Sequence, residues 1–327
     1  MIRRAACRVA LIIAFVAGCA VTRASAGSID LYVVGYSFSE IYTYTASGSG
    51  SLFIPQGGGL NSVAALALGP NGNVYVANTG TGDIDEVTPS GSISLFVSTG
   101  YFSLDSIAFD GAGDLYAAEA INPDGSPVST VEKITPGGSV STFSTGVSGP
   151  LGLAVEGNNL FVANFWTNSV DEIALSGPLA GLPSTFASGL SEPSALAFDS
   201  AGNLFVANGE ADTIDEFAPN GSGSQFADNT VSVPDALTFG PNGNLYVTGG
   251  LNDPIDEYTP GGALSVFAVL PDASSNPQPD ALVFAPAPMP VPEPASLCLF
   301  TAALLMLGAT RACRGTRASF RSNRTFD

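Results

Sequence analysis

The chain has no histidine, and its four cysteines sit near its ends: Cys7 and Cys19 before residue 27, Cys298 and Cys313 after residue 290. The stretch between them forms no disulfide and offers no thiolate, whatever the redox state outside. Catalytic dyads and triads built on imidazole, and zinc sites built on His or Cys, are excluded by inventory. Basic residues are nearly as scarce. Of the 10 Lys and Arg, Arg3, Arg4, Arg8 and Arg23 lie in the first 26 residues, and Arg311, Arg314, Arg317, Arg321 and Arg324 in the last stretch; only Lys133 lies between. Of the 29 acids, only Glu293 and Asp327 fall outside residues 27–290, so the central region sets 27 acids against one base, a net charge of about −26. Such a surface repels phosphate backbones and anionic lipid, which excludes nucleic acid as a partner and leaves cations or neutral ligands.

The two ends are built differently from the middle. Arg3, Arg4 and Arg8 precede an apolar run from Val9 to Val21, and Ala24-Ser25-Ala26 supplies the small-x-small pattern at which a signal peptidase cuts. Export with removal of residues 1–26 is expected. Val16-Ala17-Gly18-Cys19 also resembles a lipobox, in which Cys19 would be acylated and become the new N-terminus; the two readings are alternatives. At the other end a proline-rich stretch leads through Pro292-Glu293-Pro294 into the apolar run Leu297 to Ala309, and then to five arginines. That apolar run of about 13 residues falls short of the roughly 20 that span a bilayer comfortably. A short span with a basic flank still suits a stop-transfer segment whose arginines stay in the cytoplasm.

This order of parts resembles the PEP-CTERM sorting signal over Val291 to about Arg317. The resemblance implies Pro292, Glu293 and Pro294 as the sorting motif, and an exosortase as processing partner beside the signal peptidase. It also implies a protein held briefly at the inner membrane on its way to the cell surface or the extracellular space. The chain departs from the family by running on from Ala318 to Asp327. The expected organisation is a signal peptide over 1–26, one globular domain over 27–286, a Pro-rich linker over 287–296, a hydrophobic membrane segment over 297–310 and a basic cytoplasmic tail over 311–327. Membrane contact is expected only through that C-terminal segment.

Within the central region one phrase returns about every 41 to 46 residues, the spacing of propeller blades with four strands. It opens with small and large residues in alternation, as in Ala65-Leu66-Ala67-Leu68, Ala195-Leu196-Ala197-Phe198 and Ala281-Leu282-Val283-Phe284. A Gly/Asn turn such as Pro70-Asn71-Gly72-Asn73 supplies the positive φ that a hairpin needs. A second strand (Val74-Tyr75-Val76, Leu204-Phe205-Val206) and a third (Ile84-Asp85-Glu86-Val87, Ile214-Asp215-Glu216-Phe217) follow, then a short fourth such as Leu95-Phe96-Val97. First and second strands each occur six times, but out of step. The region begins on a second strand, Leu31-Tyr32-Val33, and ends on a lone first strand, Ala281 to Phe284. An open stack would leave both half-units as sticky edges. A ring lets the last strand complete the first blade. The expected fold is therefore all-β: a six-bladed β-propeller with four-stranded blades, closed by the C-terminal strand.

Through Pro70-Asn71-Gly72-Asn73-Val74-Tyr75-Val76-Ala77-Asn78 and its copies the region resembles the NHL-repeat and SMP-30/gluconolactonase-like propellers. In that geometry the connections between second and third strands open on the same end as those between blades. The first set starts at Asn78, Glu119, Asn164 and Asn208; the second ends at Asp105, Asp235 and Asp280. The resemblance implies a divalent metal such as calcium held there by oxygen ligands, for which Glu119, Asn164, Asn208, Asp105 and Asp235 are the candidates. The alternative is that each Asn ends its strand by bonding local backbone. Asn78, Asp280 and the Phe165-Trp166 pair are candidate ligand contacts, the aromatics by stacking on a sugar ring. The Asp-Glu pairs at 85/86, 171/172, 215/216 and 256/257 recur in four blades, which fits solvated strand faces better than one active site. The preferred expectation is a non-enzymatic surface or matrix module that binds a protein or exopolysaccharide. The alternative is a metal-dependent lactonase-type hydrolase with a carboxylate base.

Overall fold

The computed structural model describes residues 29–35, 39–100, 103–121, 127–228, 231–250, 254–270 and 279–286. Blade 1 is β1 (Ile29–Gly35), β2 (Glu40–Tyr44) and β3 (Gly50–Ile54). Blade 2 is β4 (Val63–Leu68), β5 (Val74–Asn78), β6 (Asp83–Val87) and β7 (Ile93–Ser98). Blade 3 follows as β8 (Leu104–Phe109), β9 (Leu115–Ile121), β10 (Pro127–Ile134) and β11 (Val140–Thr145), and blade 4 as β12 (Pro150–Glu156), β13 (Asn159–Asn164), β14 (Ser169–Ala174) and β15 (Pro183–Ser188). Blade 5 is β16 (Pro193–Phe198), β17 (Leu204–Asn208), β18 (Thr213–Phe217) and β19 (Gly223–Asp228); blade 6 is β20 (Ala236–Phe239), β21 (Leu245–Thr248), β22 (Ile255–Tyr258) and β23 (Leu264–Ala268). The last strand, β24 (Pro279–Pro286), pairs antiparallel with β1 from Ile29↔Pro286 to Gly35↔Pro279 and completes blade 1. Six four-stranded antiparallel sheets result, and the closure expected from the unmatched ends is present.

The innermost strands touch in the order β4, β8, β12, β16, β20, β24 and back to β4, which closes the ring around a central channel. Burial falls off outward from the second strand. All five residues of β5 and of β17 are buried because neighbouring blades cover both faces, whereas the outermost β7 and β19 are largely exposed. Between blades an aromatic ring of the second strand meets ring edges on both sides. Tyr75 packs on Phe96 and Phe109, Phe161 on Phe186 and Phe198, and Tyr246 on Phe267 and Phe284, with centroids 4.8 to 5.1 Å apart. Each such edge-to-face pair adds about 1 kcal/mol beyond its buried area. The hairpin turns need left-handed backbone, and Gly72 (φ 81°) and Gly243 (φ 78°) supply it.

One expectation is corrected by this packing. The recurrent Asp-Glu pairs do not form solvated faces, because Asp85, Asp171 and Asp256 are buried. Alternation along a strand sends Asp and Glu to opposite faces, and a blade inside a ring has both faces covered. The leader, the linker with Pro292, Glu293 and Pro294, the hydrophobic segment and the basic tail all lie outside the described residues. Among the described residues no helix is long and apolar enough to cross a membrane, and the segment expected over 297–310 lies outside them, so the transmembrane expectation finds no support in the structure.

Candidate functional site

At one end of the ring the second strands finish on a buried column. In blade 2, Asn78 Nδ2 donates to Asp85 Oδ2 at 2.8 Å, while Asn78 Oδ1 accepts the backbone N–H of Asn61 at 3.0 Å. Asn164 repeats this with Asp171 (2.8 Å) and the N–H of Ser148 (2.8 Å), and Asn208 with Asp215 (2.9 Å) and the N–H of Ser191 (3.2 Å). Each amide thus ties its own third strand to the connection arriving from the previous blade. The oxygens that Asn164 and Asn208 would offer a metal, and Asn78 a ligand, already accept backbone donors.

Blade 3 breaks the pattern. Glu119 stands in the Asn position, and Glu132 stands where blades 2, 4, 5 and 6 have Asp, as the cross-strand pairing Ala117↔Glu132 and Val76↔Asp85 shows. The amide donor is gone and two carboxylates share its place. Glu132 accepts from Thr142 Oγ1 at 3.0 Å. Glu119 is 0% exposed, and among the described residues neither of its oxygens has a partner. Of five buried side-chain oxygens without a partner among the described residues, four lie in blade 3: both of Glu119, Thr130 Oγ1 directly across the ladder, and Ser144 Oγ. Burial, and then the charges of Glu132 and Asp105, push the Glu119 carboxyl up to about 7. A carboxylate cannot be dried without a donor at no cost, so it keeps its proton further into the neutral range.

Asp105 sits beside this acid because β8 is bulged: Leu104 pairs with Glu119 and Ser106 with Ala118, so Asp105 is the extra residue. The same one-residue shift falls at Ala64 on β4, Leu151 on β12 and Ser194 on β16. The displaced residues Asp105, Leu151 and Ser194 line the channel with Asp235, around a cavity of about 110 Å3. Ser103 Oγ donates to both Asp105 oxygens, at 3.0 and 2.8 Å, and orients the carboxylate. Asp280 occupies the corresponding place on β24 in the pairing register; its side chain lies outside the described residues.

Asp105 and Asp235 therefore both line the channel, at the inner strands of blade 3 and blade 6 on opposite sides of the ring, and Glu119 lies behind Asp105. Phe165 and Trp166 occupy the β13–β14 turn at the same end, and Trp166 is 47% exposed. Its indole lies over Gly149, where a Cβ would meet the ring at 2.7 Å, so the aromatic is seated on the blade rather than free-standing. The oxygen set expected for a divalent cation does not assemble. Two of its five members are engaged elsewhere, and among the described residues no three acidic side chains lie close enough to hold an ion together. Glu132 was passed over in the sequence because Val131-Glu132-Lys133-Ile134 reads as one more third strand. The signal available was its alignment with Asp85, Asp171 and Asp215.

No protein-family model matches the chain, so the NHL-repeat and PEP-CTERM resemblances gain no support there; no curated protein matches it either. Many solved structures do. One is a nidogen/laminin complex (TM-score 0.67, 15% identity, covering 79% of this chain and 98% of that one). Another is a gluconolactonase from Xanthomonas campestris (0.56, 16%, 64% and 76%). A third is virginiamycin B lyase from Staphylococcus aureus, in a catalytically inactive histidine-to-alanine form with quinupristin (0.54, 15%, 79% and 82%). At these identities the likeness establishes the fold, a six-bladed propeller similar to those of the gluconolactonase and lyase structures. Enzymes recur among these matches, which speaks against the expectation of a non-enzymatic binding module.

Proposed function

We propose that the protein is a lactonase-type hydrolase working at the end of the channel lined by Asp105 and Asp235. The observation that carries this is Glu119: a buried, unpartnered carboxyl pushed up to about 7, set behind a channel carboxylate in the one blade where Glu replaces the amide. A carboxyl that changes protonation near neutral pH beside a channel carboxylate marks this end of the ring as a functional one. The likeness to a gluconolactonase supports the same class. The lyase likeness supports it less: that enzyme is inactivated by replacing a histidine, and this chain has none.

In this reading Asp105, oriented by Ser103, takes a proton from a water that attacks the ester carbonyl. The acyl C–O bond breaks, and the proton passes to the leaving alkoxide, so one lactone and one water become one hydroxy acid. Glu119 does not reach the substrate. Its charge changes the field around Asp105, and it is a positioning residue. No step is routed through a metal, because the donor set does not fit one. With a single base in the region, a neutral substrate is favoured over an anionic one.

The test is hydroxy-acid release from gluconolactone and simple δ-lactones by the full chain, measured in a pH-stat above the spontaneous rate. Asp105→Asn is expected to lower turnover by about 100-fold or more. Glu119→Gln is expected to remove the pH-rate limb near 7 while leaving KM unchanged. Absence of turnover above background on these lactones overturns the reading. We also infer export, supported by the leader and by the Pro292-Glu293-Pro294 tail. The same preparation checks it, through an intact mass that lacks residues 1–26.

A further inference from the structure

The opposite end of the ring carries a cavity that the Asp105 site does not use. In three blades the glutamate of the third strand is held by asparagines of the first hairpin turn. Asn71 and Asn73 donate to Glu86 Oε1 at 2.7 and 2.6 Å, Asn159 to Glu172 at 2.6 Å, and Asn242 and Asn244 to Glu257 at 3.1 and 2.7 Å. The hydroxyls of Tyr75 and Tyr246 add a further donor to Glu86 and Glu257 at 3.2 and 2.7 Å. Burial raises the Glu257 carboxyl, but these donors outweigh it and hold the group below its ordinary range.

Blade 5 lacks all three devices. Ala201 stands where Asn71 and Asn242 stand, Phe205 replaces the two tyrosines, and Asn203 donates to Asp199 at 2.9 Å instead of to the glutamate. Glu216 is left facing a cavity of about 410 Å3 between blades 5 and 6, walled by Phe205, Phe226, Phe239, Leu245 and Tyr258. Its aromatic wall is fixed edge to face: Phe205 lies 5.0 Å from both Phe226 and Phe239, and Phe226 lies 5.8 Å from Tyr258. Among the described residues no cation answers the carboxylate, because Lys133, their one base, is bound to Asp114 at 2.6 Å in blade 3.

We propose that this cavity binds a small organic cation with an apolar body, an alkyl- or arylammonium, whose charged head meets Glu216 while its body lies against the rings. Its size falls in the range of small-molecule sites, roughly 300 to 1,000 Å3. Aromatic faces and a carboxylate together favour an ammonium over a neutral molecule of the same shape. The strongly acidic surface concentrates cations around the ring and repels anionic competitors.

The experiment titrates phenethylammonium into the full chain by isothermal calorimetry, with 2-phenylethanol as the neutral control. The ammonium is expected to bind about tenfold tighter than the alcohol or better, and Glu216→Gln to erase that difference without changing alcohol affinity. Ala201→Asn places in blade 5 a side chain that blades 2 and 6 already carry. It is expected to engage Glu216, weaken the ammonium by about tenfold and hold or raise the melting temperature. Equal affinity for the two probes, binding of the ammonium that survives both variants, or no binding overturns the proposal. Lactone turnover, which depends on the other end of the ring, is expected to be the same in both variants as in the parent.

Discussion

Blade 3 and blade 4 place the same strands in the same register, yet one ends in Glu119 facing Glu132 and the other in Asn164 bonded to Asp171. The amide both gives and accepts, so it welds two segments and buries without loss. Two carboxylates in that space have nothing to exchange unless one keeps a proton. The difference teaches where this ring is built for stability and where it stores an unfavourable group beside its channel, as functional sites often do.

The comparison can be broken from either side. Asn164→Asp rebuilds the blade 3 arrangement in blade 4, removing a donor and adding a charge beside buried Asp171. A loss of about 4 kcal/mol at neutral pH is expected in chemical denaturation. A loss under about 1 kcal/mol would mean that the Asn column is not structural.

Glu119→Gln makes the reverse change. The folded carboxyl lies near 7 against an ordinary 4.5, so between those values the native state binds more protons than the unfolded one, and stability falls as pH rises. The penalty is absent below about 4.5 and complete above about 7, on the order of 3 kcal/mol. The variant is expected to recover that amount at pH 8 and nothing at pH 4, while losing the pH-rate limb. Taking the difference between parent and variant cancels the general repulsion among the other acids. The smallest effect is expected for Asn208→Ala, which removes one weld without adding charge and should cost about 2 kcal/mol at every pH.

Much of the ring was legible because its signals are local and repeated. Alternation in Ala195-Leu196-Ala197-Phe198, the turn at Pro70-Asn71-Gly72-Asn73 and the mismatch between Leu31-Tyr32-Val33 and Ala281 to Phe284 each imply a strand, a hairpin or a closure. The site was only partly legible. Glu119 stood out as a charged departure from an Asn column, but its partner Glu132 did not, since a third strand with one more acid looks like its neighbours. The occupation of Asn78, Asn164 and Asn208 was also hidden, because their acceptors and donors belong to another strand and to the connection from the preceding blade. The burial of Asp85 and Asp171 escaped for a related reason: a strand that alternates acids looks half-solvated until both of its faces are seen to be covered.

Sequence alone determined the repeat, the number of blades, the closure at β24 and the absence of imidazole and thiol chemistry, since all of these follow from residue inventory and short-range periodicity. Only the tertiary structure decided which polar groups find partners. It left Glu119 dry behind Asp105 and Glu216 open to an aromatic cavity, because desolvation and hydrogen-bond supply depend on neighbours that the chain brings together from different strands and blades.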